Sequence, residues 1–104
     1  MRDNRVKIGA ILLCGASFYA SQSLAADPSV GGQIYSRNCT TCHGDDGRGT
    51  MPGVPDFTRG DALLKPNNML AASIRSGKEL MPAFQGLLSD KEINDVVAYL
   101  RSFR

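Results

Sequence analysis

The stretch "CTTCHGDDGRG", residues 39–49, decides how the rest of the chain is read. Cys39 and Cys42 stand three apart, His43 follows directly, and Gly44, Gly47 and Gly49 close the segment. With three cysteines and a single histidine in 104 residues, the chain concentrates two of its three thiols and its only imidazole here. Four chemistries compete for such a run. A thioredoxin-like redox pair needs a βαβ setting and a helix opening just after the first cysteine; the flanking residues predict neither. Structural zinc needs four ligands, whereas the run supplies three and residues 26–104 hold no further cysteine or histidine. A plain disulfide suits an oxidising compartment but leaves His43 and the glycine-rich continuation without a task. Covalent haem attachment uses every piece: each thiol adds to one vinyl group, the spacing matches the separation of the vinyls, and the adjacent imidazole reaches the iron.

Upstream, "MRDNRVK" carries three basic residues and one acid, "IGAILLCGASFYA" is a run of thirteen mostly apolar residues, and "SQSLAA" ends in small ones. That is the order of an export leader. Ser23 and Ala25 form the small pair for a cut after Ala25, with Ala26 the neighbouring choice, so residues 1–25 are expected to be a cleaved signal peptide and 26–104 the working domain. The apolar run falls short of the about 20 residues of a membrane span, so no stable span is expected in the mature form. Cys14 has Leu13 before it, where a lipidated cysteine wants a small residue, and is read as an apolar residue of the leader. Removing the leader takes three bases and one acid, leaving nine of each and a net charge of zero. That balance leaves no basic excess to suggest a nucleic-acid partner, and none is expected.

The remaining 79 residues are few for a self-sufficient core, and chains of this size often hold a metal, a disulfide or a large apolar group at their centre. Three helices are expected. Pro28–Cys39 begins with a first-turn proline and places Val30, Ile34 and Tyr35 roughly on one side; Gly31 and Gly32 weaken it unless another helix comes close there. Asn67–Arg75 carries Leu70, Ala71 and Ile74 and stops at Gly77. The last follows Ser89 and Glu92, a capping box, with Ile93, Val96, Val97 and Leu100 as its apolar stripe and Tyr99 beside it. Between the first two, residues 43–66 hold five further glycines and prolines after the motif and read as loop. A loop that long in so small a domain needs something to wrap. No strand pattern, internal repeat or low-complexity tract is visible.

A haem iron held by His43 has a sixth position, and the chain has no second histidine. Of the methionines after the leader, Met51 lies eight residues past His43, too near to reach the opposite haem face, and Met69 falls within a helical stripe, where packing is its expected role. Met81 sits in "KELMPAF", beyond the helix stop and ahead of Pro82, which restrains it to extended backbone with a free side chain. Met81 is the expected ligand; Met69, Met51 and an exchangeable site are the remaining options.

The chain resembles the small bacterial monohaem class I cytochromes c in "CTTCHG" (39–44), "VPDF" (54–57), "MPAF" (81–84) and "DVVAYL" (95–100), in that family's order over residues 28–104. The resemblance implies an all-α class I cytochrome c fold, with three main helices and long glycine/proline loops around one haem c bound through two thioethers. It places Gly31 and Tyr35 on the N-terminal helix against Val96 and Tyr99 on a crossing C-terminal helix. It gives the Pro55 carbonyl the proton on the second ring nitrogen of His43. The chain departs from some members in having no tryptophan for a haem propionate, which leaves Arg59, Arg75 and Lys78 as candidates. The implied function is a one-electron carrier, not an enzyme, located in the periplasm and meeting redox proteins (a dehydrogenase, reductase or oxidase) at an exposed haem edge. Two alternatives stand beside it. One is a dedicated haem subunit of a dehydrogenase or oxidase complex. The other is an enzyme or ligand-binding protein in which Met81 leaves the iron, with only Lys78 and Glu79 near it as acid–base groups.

Overall fold

A computed structural model of the chain describes residues 9–17 and 25–103. Residues 9–17 of the expected leader carry no regular element; its basic start and Ser23 lie outside the described residues. From residue 25 the chain is all-α, with four helices: α1 Pro28–Asn38, α2 Thr40–His43, α3 Asn67–Ser76 and α4 Asp90–Leu100. The only β pairings among the described residues are two isolated bridges.

Helix α1 starts because the Asp27 carboxylate accepts from the amides of Ser29 and Val30, and Pro28 occupies a first-turn position that needs no donor. It ends one residue before the expected Cys39. A single turn of helix then opens at Thr40, held by the His43 amide on the Cys39 carbonyl and the Thr40 hydroxyl on the Ser36 carbonyl. This turn corrects the expectation of no helix after the first cysteine, although no βαβ unit flanks it among the described residues. Helix α4 has its capping box: the Ser89 hydroxyl accepts from the Glu92 amide, and the Glu92 carboxylate accepts from the Ser89 amide.

The core lies where α1 and α4 cross. Ile34 and Tyr35 from α1 meet Ile93, Val96, Val97 and Leu100 from α4, while α3 adds Leu70, Ala71 and Ile74. Gly31 sits at the crossing itself, so close to α4 that a Cβ there would lie 1.9 Å from the Asp95 carbonyl oxygen. The same approach brings the Asp27 amide to 2.7 Å from the Asp95 carboxylate, which also takes the Lys91 ammonium at 2.9 Å. Burial acts hardest on Asp95 and would raise its pKa, but the Asp27 amide and Lys91 together outweigh it and hold the carboxyl below its usual range.

After α3 the chain reverses at Gly77, whose φ of +70° and contact with the Met81–Ala83 backbone leave no room for a side chain. Lys78 and Met81 exchange both backbone hydrogen bonds, closing a turn that contains Glu79 at φ 56°. The amides of Phe84 and Gln85 then bond back to the Ile74 and Arg75 carbonyls of α3. Met81 is therefore carried on a segment strapped to α3.

Candidate haem site

Between this strap, the 51–57 loop and the α1–α2 corner lies a cleft of about 470 Å³. Its walls bring together the five residues expected to bind the haem or orient its histidine: Cys39, Cys42 and His43 from α2 and its cap, Pro55 from the loop, and Met81 from the strap. One helical turn explains the first three, since positions i, i+3 and i+4 fall on one side. Apolar walls come from Leu70, Ile74, Phe84 and Val96, which the core helices supply.

Cys39 and Cys42 are not joined in a disulfide. Burial, and then the neighbouring Cys42, push the Cys39 thiol up to about 11. Burial moves His43 the other way, below the usual imidazole range, and keeps the ring neutral with a lone pair to give. Its Nδ1 is buried without a hydrogen-bond partner from Pro55 or any other described residue. Phe57 stacks on the ring at 4.9 Å between centroids and 21° between planes. Two cysteines not joined to each other, a neutral imidazole and an apolar cleft behind them form the donor set and the cradle that a thioether-bound haem requires.

The methionines separate clearly. Met81 is half-buried, packed on the core and lines the cleft. Met51 also borders it but is exposed, and Met69, exposed on α3, does not line it. Of the propionate candidates, only Lys78 borders the cleft. Arg75 does not; its guanidinium reaches Asp90 at 3.1 Å. Arg59 lines a separate groove with Phe57 and Phe103. Lys65 borders the cleft and was missed, because nothing in "LLKPNN" says that the chain bends back there; the turn is held by the Arg101 guanidinium on the Leu63 and Lys65 carbonyls.

A family model described as "Cytochrome C oxidase, cbb3-type, subunit III" matches residues 26–100, and the chain is 36% identical over 83 residues to cytochrome c6 of Gracilaria tenuistipitata var. liui, covering 75% of this chain and 74% of that one. The chain belongs to the class I cytochromes c. Cytochrome c6 from the diatom Phaeodactylum tricornutum has the same fold, with a TM-score of 0.62 at 33% identity over 72% of this chain and 91% of that one. The KustC0563 c-type cytochrome matches with a TM-score of 0.67 at 26% identity, over 71% and 96%. This cytochrome is a small monohaem electron carrier whose Cys39 and Cys42 attach one haem c covalently, and it exchanges electrons with redox proteins. No helix among its described residues is long and apolar enough to cross a membrane.

Proposed function

We propose that this cytochrome shuttles single electrons in the periplasm with its iron held between His43 and Met81. The observation that carries this reading is that both side chains line one apolar cleft, His43 beside the two thiols and Met81 on the strap from α3. When bound, haem supplies the one-electron couple. His43 contributes a neutral nitrogen. Met81 contributes a soft sulfur that favours the less charged ferrous state, and the apolar walls exclude water and disfavour the extra charge of ferric iron. Together they would raise the potential, and holding the iron with both side chains would keep rearrangement on electron gain small. The Pro55 carbonyl is the intended acceptor for the buried Nδ1–H, which would fix the tautomer that leaves Nε2 for iron. Removal of residues 1–25 after export completes the assignment to the periplasm, and dehydrogenases, reductases and oxidases that meet an exposed haem edge are the partner class.

The test is the optical spectrum of the purified, oxidised mature protein. A weak far-red band from sulfur on ferric haem, lost in Met81→Ala, is the expected result. A high-spin ferric spectrum without that band would overturn the ligand pair and turn attention to ligand or peroxide chemistry. A second reading, a haem subunit with one fixed partner, draws support from the matching family model, whose description names an oxidase subunit. Copurification with a larger periplasmic or membrane enzyme separates it from a free carrier.

A further inference from the structure

Among the described residues no partner meets the buried His43 Nδ1, the atom assigned above to the Pro55 carbonyl, so packing is what the structure shows against the ring. The group that meets its face is Phe57. Phe57 is in turn held from two sides. Its amide donates to the Gly47 carbonyl at 2.7 Å, and its ring lies nearly parallel to Phe103 at 6.2 Å. Gly47 belongs to a tight turn in which its own amide reaches the Gly44 carbonyl, and the Phe103 ring packs so closely that a Cβ on Gly47 would sit 3.0 Å from it. That Gly44 carbonyl, directly after His43, also accepts from the buried Tyr35 hydroxyl at 2.7 Å. Tyr35 closes the circuit by packing on Phe103 at 5.4 Å.

We propose that Tyr35 is a positioning residue for the His43 imidazole, its hydroxyl fixing the 44–47 turn that places Phe57 on the ring. Packing alone does not call for the oxygen, since a phenylalanine would fill the same space between α4 and the motif. A buried hydroxyl is a cost unless it is bonded, and here its bond goes to the residue after the histidine. Pro55 lies two residues before Phe57, so the same hold governs where its carbonyl can meet Nδ1. The proposal rests on His43 being the iron's nitrogen ligand, and it deepens that reading by naming what orients the ring.

The test is Tyr35→Phe in the haem-loaded ferric protein, read by low-temperature electron paramagnetic resonance and by thermal unfolding. In low-spin ferric haem the spread of g values follows the orientation of the axial imidazole, which a purely structural role would leave alone. Tyr99→Phe is the control. Tyr99 packs 5.2 Å from both Tyr35 and Phe103, but its hydroxyl has no hydrogen-bond partner among the described residues. Tyr35→Phe is expected to shift the g values and to lower the unfolding midpoint by roughly 4–8 °C, the effect of a buried carbonyl losing the shorter of its two hydrogen bonds. Phe57→Leu shifts the g values too, with the Tyr35 bond intact, and Tyr99→Phe does not. A lowered midpoint with unchanged g values would make the hydroxyl a stabilising group only and overturn the proposal, as would no change in either. A wild-type protein lacking any histidine-ligated low-spin signal would overturn the ligand assignment beneath it, a failure visible before any variant is made.

Discussion

Gly31→Ala is the sharpest probe of how the two long helices hold the site. The added Cβ would stand 1.9 Å from the Asp95 carbonyl oxygen and 2.9 Å from the Val96 amide nitrogen, both backbone atoms that cannot rotate away. Restoring contact to 3.0 Å, the limit that real Cβ atoms respect, requires the helices to part by about 1 Å across an interface packed at crystal-like density. Overpacking of this kind costs about 1–3 kcal/mol, and more where backbone is the obstacle. Better helix propensity returns roughly 0.5–1 kcal/mol. A net loss of about 1–2 kcal/mol corresponds to a fall of roughly 4–16 °C in the unfolding midpoint of a domain this small. Gly32→Ala is the matched control, since its Cβ would meet only the Tyr99 ring, at 3.0 Å, and a side chain can give way. The assay is thermal unfolding of the haem-loaded proteins followed at the Soret band. A Gly31→Ala midpoint within about 3 °C of wild type would refute the close crossing as the structure draws it.

Other perturbations test separate parts of the molecule. Asp95→Asn should lower stability to denaturant at pH 7, because Lys91 loses its partner and the Asp27 amide loses a charged acceptor. The Asp95 carboxyl titrates below its usual range when folded, so its contribution is complete above about pH 4 and disappears as pH falls through the folded value. The gap between wild type and variant should therefore close on acidification and stay constant between pH 5 and pH 8. Ser89→Ala removes one half of the capping box and should cost about 1 kcal/mol, read as a midpoint lower by roughly 4–8 °C with an unchanged haem spectrum. Replacing Cys39 and Cys42 together by alanine should leave haem extractable with acidic organic solvent, whereas wild type retains it through denaturing electrophoresis.

Much of the fold can be read in the residues because local chemistry and tertiary demand agree there. Ser89 and Glu92 announce the start of α4, Pro28 that of α1 and Gly77 the end of α3, and each acts on its own few neighbours. Gly31 was legible for a different reason: a glycine inside a helix that otherwise favours packing is costly unless something occupies the missing side chain's place, and Asp95 does. Two features resist such reading. The single turn at Thr40–His43 lacks any apolar repeat, being too short for one, and is held by bonds from α1 that sequence spacing does not reveal. Likewise, Lys65 reaches the cleft only because Arg101, 36 residues later, ties down its carbonyl.

The motif itself shows where legibility ends. "CTTCH" names the cofactor because thiol spacing is a property of the chain, yet it says nothing of what steadies the imidazole. That depends on Tyr35 from the preceding helix, Phe57 from the loop and Phe103 beyond the last helix, which meet only after α1 and α4 have crossed at Gly31. Loosening that crossing should therefore disturb the iron's electronic signature as well as the midpoint. A Gly31→Ala protein that still binds haem is expected to show shifted ferric g values, whereas Ser89→Ala, equally a helix defect but remote from the aromatic circuit, is expected to lose stability alone.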